Sequence, residues 1–280
     1  LTYFSYAETK LLADLRVSLS DKLYCIYLNK PYSFHLNNNS SKLIRNIDEV
    51  SLVVFVLQSF IILTLETVVF LGISTFVILY EPKGSLLVIL FLGSFGYLFF
   101  TKVQTKAKEW GKTRQAHAGL RFKYLREGFG SIKDIKILQR SNEIIKIFTT
   151  NNKILNLVEI KQNFINSLPR LWLEWLVVMG FVLLIFLMIF LGKELSYIVP
   201  LLGLFAAAAF RIMPSLTRIM NSVQNIIYNR PVVDSIYKEF EKVNSKNNSE
   251  KLPSKEVSLN KEINLKNINF KYSDSGPFIL

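Results

Sequence analysis

The stretch Tyr124–Phe148, YLREGFGSIKDIKILQRSNEIIKIF, is a polar, basic segment between two long apolar blocks. It contains GFGS at residues 128–131. Glycine in a helix interior costs roughly 1 kcal/mol relative to alanine, so the two glycines predict a bend. Beyond the bend, residues 132–138 alternate isoleucine with lysine and aspartate, which predicts a short amphipathic helix across the ends of longer ones. On spacing alone, a helix that docks on a partner domain and an ordinary loop are equal alternatives.

The composition is that of a membrane protein. Of the 280 residues, 50% are hydrophobic and 22 are phenylalanine, and the mean hydropathy is +0.29. The net charge is +13, and residues 101–170 carry 15 Lys or Arg against 5 Asp or Glu, so +10 of it lies there. Basic residues concentrated beside apolar spans are the positive-inside pattern of a cytoplasmic segment. A nucleic-acid site would not need the apolar blocks, which argues against that class.

Four apolar blocks predict four membrane-crossing helices, at residues 52–80, 86–100, 171–191 and 197–228. About 20 residues cross roughly 30 Å of hydrocarbon, so the first block is long enough to tilt. Residues 81–84 and 192–194 are predicted to be short outer turns with little net charge. The basic segment between the second and third spans is then cytoplasmic, as are both ends of the chain. We therefore expect a multi-pass protein of the cell (inner) membrane.

The first fifty residues predict two helices joined by a short aromatic segment. Apolar residues recur at helical spacing from Leu11 to Tyr27 with charges between them, which predicts an amphipathic helix too polar to span a bilayer. The pair Lys30-Pro31 is expected to end it, because the residue before a proline avoids the helical region. The aromatic segment PYSFH follows at 31–35. In the turn NNNSS at 37–41, Ser40 or Ser41 is the expected cap of a helix that starts near Lys42.

Cysteine and histidine usage indicates neither a disulfide nor a metal site. Cys25 is the single cysteine of the sequence, so no intramolecular disulfide can form. His35 has no second His or Cys at ligand spacing, and His117 is isolated as well. We interpret His35 as a surface histidine packed on its neighbours.

Two loops and the final segment resemble the ABC exporter family with its type-1 transmembrane fold. EGFGSIKDIKIL at 127–138, followed by Asn142-Glu143, resembles the second intracellular loop of that family. YLNKPYSFHLNNNSSKLIRNI at 27–47 resembles the first, in the form found in exporters that flip lipid-linked oligosaccharides. INLKNINFKYSDSGPFIL at 263–280 is strand-like and resembles the opening strands of an ABC nucleotide-binding domain.

The resemblance implies an all-α membrane domain with long cytoplasmic helical extensions. Residues 1–243 would be a type-1 transmembrane domain without its first helix and most of its second. Residues 244–261 would be a linker, and 262–280 the start of the nucleotide-binding domain. In that domain Tyr272 matches the aromatic residue that stacks on adenine. The coupling loops would contain Pro31, Tyr32 and Phe34 in the first, and Gly130, Ile132, Lys133 and Ile135 in the second.

The sequence as printed contains no G-x-x-x-x-G-K-[ST] phosphate loop, so no catalytic residue is assigned. The resemblance implies that the full-length protein would be an ATP-hydrolysing translocase that uses ATP and Mg²⁺, while this part alone is expected to bind neither. The expected partners are the membrane, a second identical chain and nucleotide-binding domains of the same or a second chain. The alternatives are an exporter of peptides or drugs and, from a different class, a membrane channel or scaffold. A phosphate loop shortly beyond Leu280 would decide between transporter and channel.

Glu66, Arg211 and Arg218 lie inside the predicted spans and indicate a substrate pathway, because charges in a membrane span are costly. Arg211 and Arg218 are seven residues apart, so they share one helix face about 10 Å apart along the axis. Guanidinium groups bind phosphate bidentately, which suits the pyrophosphate of a lipid-linked sugar. We expect Glu66 to neutralise one arginine when no substrate is present. In the alternative interpretation, both arginines lie at the inner interface and extend to lipid headgroups.

Overall fold

The protein is built from long helices with short helices at one end. The computed structural model describes residues 2–190, 192 and 194–244, and their side chains except at 83–84, 86–89, 91–92, 95, 97–100, 195, 197 and 242–244. Within these residues no strand occurs. The helices are α1 Thr2–Leu28, α2 Tyr32–Asn37, α3 Ser40–Asp48, α4 Val50–Tyr80, α5 Pro82–Gly130, α6 Ile132–Ile137, α7 Ser141–Phe190 and α8 Leu195–Asn244.

Among the described residues, three segments are long and apolar enough to cross a membrane by length and composition, namely Ser40–Tyr80, Ser141–Phe190 and Ile198–Glu241. The described part of the chain is therefore that of an all-α membrane protein, as the composition predicts. The predicted span at 86–100 is helical within α5, but most of its side chains are outside the described residues. Helix α4 packs mainly against α8, and α5 packs mainly against α7.

Two local predictions near helix starts were wrong, namely the turn at 81–84 and the cap of α3. Helix α5 begins at Pro82, since proline has a fixed φ and no N–H and so suits the first helical position. Helix α3 begins at Ser40 and is capped by Asn39, whose Oδ1 accepts from the Ser41 N–H at 2.9 Å. Neither Ser40 nor Ser41 is therefore the cap. Most of the aromatic segment at 31–35 is helical and belongs to α2.

The second loop is a helix, a turn and a short helix. Helix α5 continues through both glycines to Gly130, and the chain turns at Ser131. Helix α6 follows directly, as the alternation of isoleucine and lysine predicts. Helix α7 then runs unbroken through Pro169, so the polar residues after α6 and the predicted span at 171–191 belong to one helix. A proline is tolerated inside a long membrane helix where neighbouring helices enclose it, and Pro169 is fully buried.

Two apolar clusters hold the helices together, one at each end of the membrane segments. The end of the helices that carries α2 and α6 is named the inner end and the opposite end the outer end, whichever side of the membrane each faces. The outer cluster joins α4, α7 and α8 through Val77, Leu184, Met188, Ile198, Leu201 and Phe205. The inner cluster joins α1, α3, α4 and α8 through Leu23, Tyr27, Leu43, Val50, Val232 and Ile236. Burial of each such side chain contributes about 1.5–3 kcal/mol. Because α1 enters only the inner cluster, it is an inner-end support of the bundle.

Helices α5 and α8 come into backbone contact at one point. Gly111 on α5 is buried, and a Cβ placed on it would collide with the backbone carbonyl oxygen of Tyr228 on α8. Only glycine allows the two backbones to approach this closely. The contact lies on the inner side of the apolar segments.

The nucleotide-binding part of the prediction lies outside the described residues. Helix α8 ends at Asn244, so the structure does not bear on the rest of the linker predicted at 244–261. The strand-like segment at 262–280, with Tyr272, is likewise outside the described residues.

Candidate functional site

Glu66 and Arg218 form an ion pair between α4 and α8. The Arg218 Nε lies 3.1 Å from the Glu66 Oε1. The Glu66 side chain is 12% exposed and the Arg218 side chain is 49% exposed. The second carboxylate oxygen, Oε2, is buried and has no hydrogen-bond partner among the side chains that the structure describes. A carboxylate and a guanidinium group are thus paired inside the apolar part of the chain. About half of the arginine side chain remains exposed.

Arg211 lies on the same helix as Arg218 and is exposed. Among the described residues it forms no ion pair. Pro214 separates the two arginines on α8, and its carbonyl oxygen accepts from the Arg218 Nε at 3.4 Å. The two guanidinium groups therefore differ, since Arg218 has an acidic partner and Arg211 has none.

An apolar cavity of about 410 Å³ lies among α4, α5, α7 and α8. Its described lining is almost entirely apolar and aromatic side chains together with glycine and alanine; it includes Phe70, Leu173, Gly180, Phe181, Ala208 and Met220. Glu66 precedes Phe70 by one helical turn, and the lining residues Leu216 and Met220 flank Arg218. Neither Glu66 nor Arg218 is among the described lining residues, and the two-residue spacing of Arg218 from Leu216 and Met220 places it on the opposite face of α8 from the cavity.

The first loop presents one anchored and one exposed aromatic residue. Phe34 packs on the inner cluster and stacks on Tyr27 with ring centroids 6.3 Å apart. Tyr32 is 66% exposed, and Pro31 is also exposed. Because Phe34 anchors one face of α2, the exposed face with Tyr32 can contact a partner while the helix stays packed on the protein.

The second loop ends in an exposed apolar tip. Ile137 and Leu138 are 68% and 66% exposed, and Phe129 and Ile132 are exposed too. Gly130 and Lys133 are also exposed, while Ile135 is half-buried. An apolar tip surrounded by lysines is a surface that a partner with an apolar groove can cover.

Both loops lie at the same end of the helices. The Arg126 guanidinium near the end of α5 donates to the Ser40 hydroxyl at the start of α3. At the same end, the Lys42 Nζ lies 3.8 Å from the Oε1 of Glu239, which is near the end of α8. The loops, the end of α8 and the start of α3 therefore form a single inner surface.

A buried charge cluster joins α3, α4 and α5 behind this surface. Glu49 is 3% exposed, with Oε2 3.5 Å from the Arg45 Nε and Oε1 3.6 Å from the Arg114 Nη2. These are ion-pair distances longer than hydrogen bonds, and both carboxylate oxygens lack a hydrogen-bond partner among the described residues. One carboxylate thus balances two guanidinium groups away from water.

Hydrogen bonds extend the charge cluster to α1 and α8. Arg45 donates to Asn46 Oδ1 at 3.0 Å, and Asn46 donates to the Tyr27 hydroxyl at 2.9 Å. Gln115 donates to the Pro231 carbonyl oxygen at 3.2 Å. Burial raises the pKa of Tyr27 to about 12, although the Asn46 hydrogen bond opposes the rise. The network fixes α1, α3, α5 and α8 relative to one another.

Sequence reasoning missed this cluster and the cavity. The i, i+4 spacing of Arg45 and Glu49 just before an apolar span was a visible signal for the first pair. Nothing in the sequence singled out Arg114 from the other basic residues of 101–170. The cavity depends on how four helices meet, which a single sequence does not specify. No protein-family model matches this chain.

Proposed function

We propose that this chain is the membrane half of an ATP-driven exporter or flippase of the ABC type. It would move a lipid-linked or other amphiphilic substrate by alternating access, as a dimer, with nucleotide-binding domains supplying the energy of ATP. Tyr272 would stack on the adenine, and ATP with Mg²⁺ would bind outside residues 1–243. The loop and strand resemblances described above are the sequence basis of the proposal.

The observation that carries the proposal is the placement of α2 and α6. Each is a six-residue helix at a turn between long helices, and both lie on the same inner surface. Helices α4, α7 and α8 continue from that surface into apolar segments. A domain that pushes on α2 and α6 would therefore act directly on the helices that cross the membrane. This arrangement supports mechanical coupling between a soluble motor and a membrane pathway.

The arginines Arg211 and Arg218 on α8 support an anionic amphiphile as the substrate. Arg218 is half-exposed and Arg211 is exposed, so both can reach a phosphate group. Glu66 keeps Arg218 neutralised in the absence of substrate, and a pyrophosphate would take its place. The orientation would put both ends of residues 2–244 in the cytoplasm, since the basic residues of 101–170 flank the inner loops.

ATP-driven transport in liposomes tests the proposal. The complete protein is reconstituted in vesicles with a fluorescently labelled isoprenyl pyrophosphate sugar, and its movement between leaflets is followed with and without ATP. We expect ATP-dependent flipping, with ATP hydrolysis stimulated by the substrate. Ion or solute leakage without any ATP hydrolysis would instead identify a channel. Absence of both activities would identify a scaffold.

A further inference from the structure

A second pocket, of about 360 Å³, lies between the inner parts of α5 and α7. Helix α5 contributes Arg121, and α7 contributes the buried Leu155. The other lining side chains are polar and also come from α7, namely Thr149, Asn152, Lys153, Asn156 and Glu159. Ligand sites in proteins measure about 300–1,000 Å³, so the pocket is large enough for a small molecule. Because its lining is charged or hydrogen-bonding at all positions but one, that molecule has to be polar.

Arg121 and Lys153 bring two positive charges to this pocket. Arg121 is half-buried and Lys153 is exposed, and neither side chain has an ion-pair or hydrogen-bond partner among the described residues. Two like charges at one pocket repel each other, and the repulsion is stronger where the protein partly excludes water. A bound anion would replace this repulsion with attraction to both groups.

The hydrogen-bond donors of the pocket favour a phosphate over a carboxylate. The Arg121 guanidinium can donate two parallel hydrogen bonds, and the Lys153 ammonium adds a point charge. The Thr149 hydroxyl and the amides of Asn152 and Asn156 are further donors, and the described residues leave all three side chains without a hydrogen bond. A phosphate monoester offers three strong acceptor oxygens to this set, whereas a carboxylate offers two.

Glu159 gives the pocket an acceptor at its other end. It follows Lys153 by six residues, which is about 9 Å along the helix axis. An ionised carboxylate only accepts hydrogen bonds, so it repels a phosphate and attracts hydroxyl groups. The lining is therefore complementary to a molecule with a phosphate at one end and hydroxyl groups at the other, which describes a sugar phosphate.

The position of the pocket decides between a lipid headgroup and a soluble molecule. Helix α7 is continuous, and residues 149–159 precede the predicted span at 171 by 12 to 22 residues, or about 18–33 Å. The exposed Trp172 and Trp175 at the start of that span are typical of a membrane–water interface. The headgroup layer on one side of a bilayer is only about 5–8 Å thick. A lipid phosphate would not reach the pocket, so the ligand is a soluble molecule.

We propose that the pocket between α5 and α7 binds a soluble sugar phosphate, with its phosphate at Arg121 and Lys153 and its hydroxyl groups at Glu159. The His117 Nδ1 of α5 already lies 3.0 Å from the Asn151 Oδ1 of α7, so the two helices are in polar contact beside the pocket. The ligand adds a second bridge between the helices that flank α6. Binding is noncovalent and requires no ATP, so the inference does not depend on the proposed function.

Titration calorimetry without nucleotide tests the ligand class. Glucose 6-phosphate is titrated into the complete protein in lipid-free micelles of an uncharged detergent, and glucose, inorganic phosphate and dihexanoyl phosphatidic acid are titrated separately. We expect glucose 6-phosphate to bind about tenfold more tightly than each of the others, the scale of one charge-assisted hydrogen bond. Equal or tighter binding of inorganic phosphate or of the lipid would overturn the proposal, as would the absence of saturable binding at millimolar glucose 6-phosphate.

Substitutions of the lining residues test the location. Arg121→Gln and Lys153→Gln should each weaken glucose 6-phosphate binding about tenfold. Lys146→Gln removes the same charge from an exposed lysine of α7 that is not among the lining residues, and should keep the affinity. Glu159→Gln should weaken binding of glucose 6-phosphate but not of inorganic phosphate, a difference that misfolding would not produce. Parent-like affinity in Arg121→Gln and Lys153→Gln, or an equal loss in Lys146→Gln, would overturn the proposal.

Hydrogen exchange tests whether the ligand bridges the two helices. Saturating glucose 6-phosphate should slow amide exchange severalfold in residues 117–121 of α5 and 149–159 of α7, because a bridge between helices opposes their local opening. Exchange in α8, which contributes no residue to the lining, should stay unchanged. Protection confined to α8, or to one of the two lining helices, would overturn the proposal.

Discussion

The Glu66 carboxylate on α4 and the Arg218 guanidinium on α8 are paired at 3.1 Å within the apolar segments. The pair links the two helices that pack most extensively against each other. It also makes Arg211 and Arg218 of α8 unequal, since Arg211 has no acidic partner among the described residues. The first prediction therefore concerns Arg211, the arginine without a carboxylate partner among the described residues.

Arg211→Lys should lose most substrate flipping if Arg211 binds a pyrophosphate. A lysine ammonium is a point charge and does not reproduce the bidentate guanidinium fork. The measurement is ATP-driven flipping of a labelled isoprenyl pyrophosphate sugar in liposomes. Arg230→Lys is the control, because Arg230 is an exposed residue of the same helix whose Nε lies 3.8 Å from the Asp234 Oδ2. Full flipping by Arg211→Lys would favour contact with lipid headgroups instead.

Ile137→Asp should uncouple ATP hydrolysis from flipping. Ile137 is at the exposed apolar tip of the second loop, and a carboxylate there would disfavour an apolar docking groove. We expect ATP hydrolysis to continue while flipping falls severalfold. Leu157→Asp is the control, since Leu157 is similarly exposed on α7 away from the loop. Unchanged flipping in Ile137→Asp would show that the tip does not dock.

Tyr272→Ala should weaken ATP binding by roughly 1–3 kcal/mol, the scale for aromatic stacking on a base. Tyr272→Trp should keep the affinity, because indole also offers a flat ring. The measurement is nucleotide binding to the complete protein by titration calorimetry. Tyr237→Ala, at an exposed tyrosine of α8, is the control. Parent-like affinity in Tyr272→Ala would remove this residue from the nucleotide site.

Glu49→Gln should destabilise the protein by about 3–5 kcal/mol, because removal of one partner leaves buried charges uncompensated. The remaining charges are the guanidinium groups of Arg45 and Arg114, whose side chains are mostly buried. The measurement is denaturant unfolding in detergent micelles. Glu143→Gln removes an exposed ion pair with Arg140 and should change stability by less than about 1 kcal/mol. Similar losses in the two variants would contradict a special role for Glu49.

The buried Tyr27 should ionise at a higher pH than an ordinary tyrosine does. Its folded pKa is about 12, above the ordinary 10.0, so the fold binds the phenol proton more tightly than the unfolded chain does. This contribution to stability is complete below about pH 10 and is lost as the pH rises through about 12. The measurement is the tyrosinate absorbance difference between the parent and Tyr27→Phe during an alkaline titration. A difference centred near pH 10 would contradict the burial argument.

The sequence predicted the helical class and the short helix α6 because both depend on local pattern. Apolar runs of membrane length identify spans, and the alternation at 132–138 identifies a short amphipathic helix. Helix starts were harder to predict from the sequence. Asn39 and Ser40 are both good capping residues, and only the backbone conformation decides which of them is the cap. The continuity of α7 through Pro169 depends on the helices that enclose it.

The sequence predicted residues of the candidate site only where a charged residue lies within an apolar run. Glu66, Arg211 and Arg218 are visible for that reason, since each is an isolated charge in an apolar run. Arg114 pairs with Glu49 across 65 residues and is one of many basic residues in its segment. The cavity was invisible, because Gly180 faces open space only once α4, α5 and α8 are placed around it.

The backbone contact between Gly111 and Tyr228 divides α5 into two unequal lever arms. If the helices stay rigid, α5 can tilt against α8 about this fulcrum, since no side chain at Gly111 obstructs the rotation. The arm from Gly111 to Pro82 is about 44 Å long and the arm to Gly130 about 29 Å, at 1.5 Å per residue. A displacement of the α6 end would then appear about 1.5 times larger, and in the opposite direction, at the far end of α5.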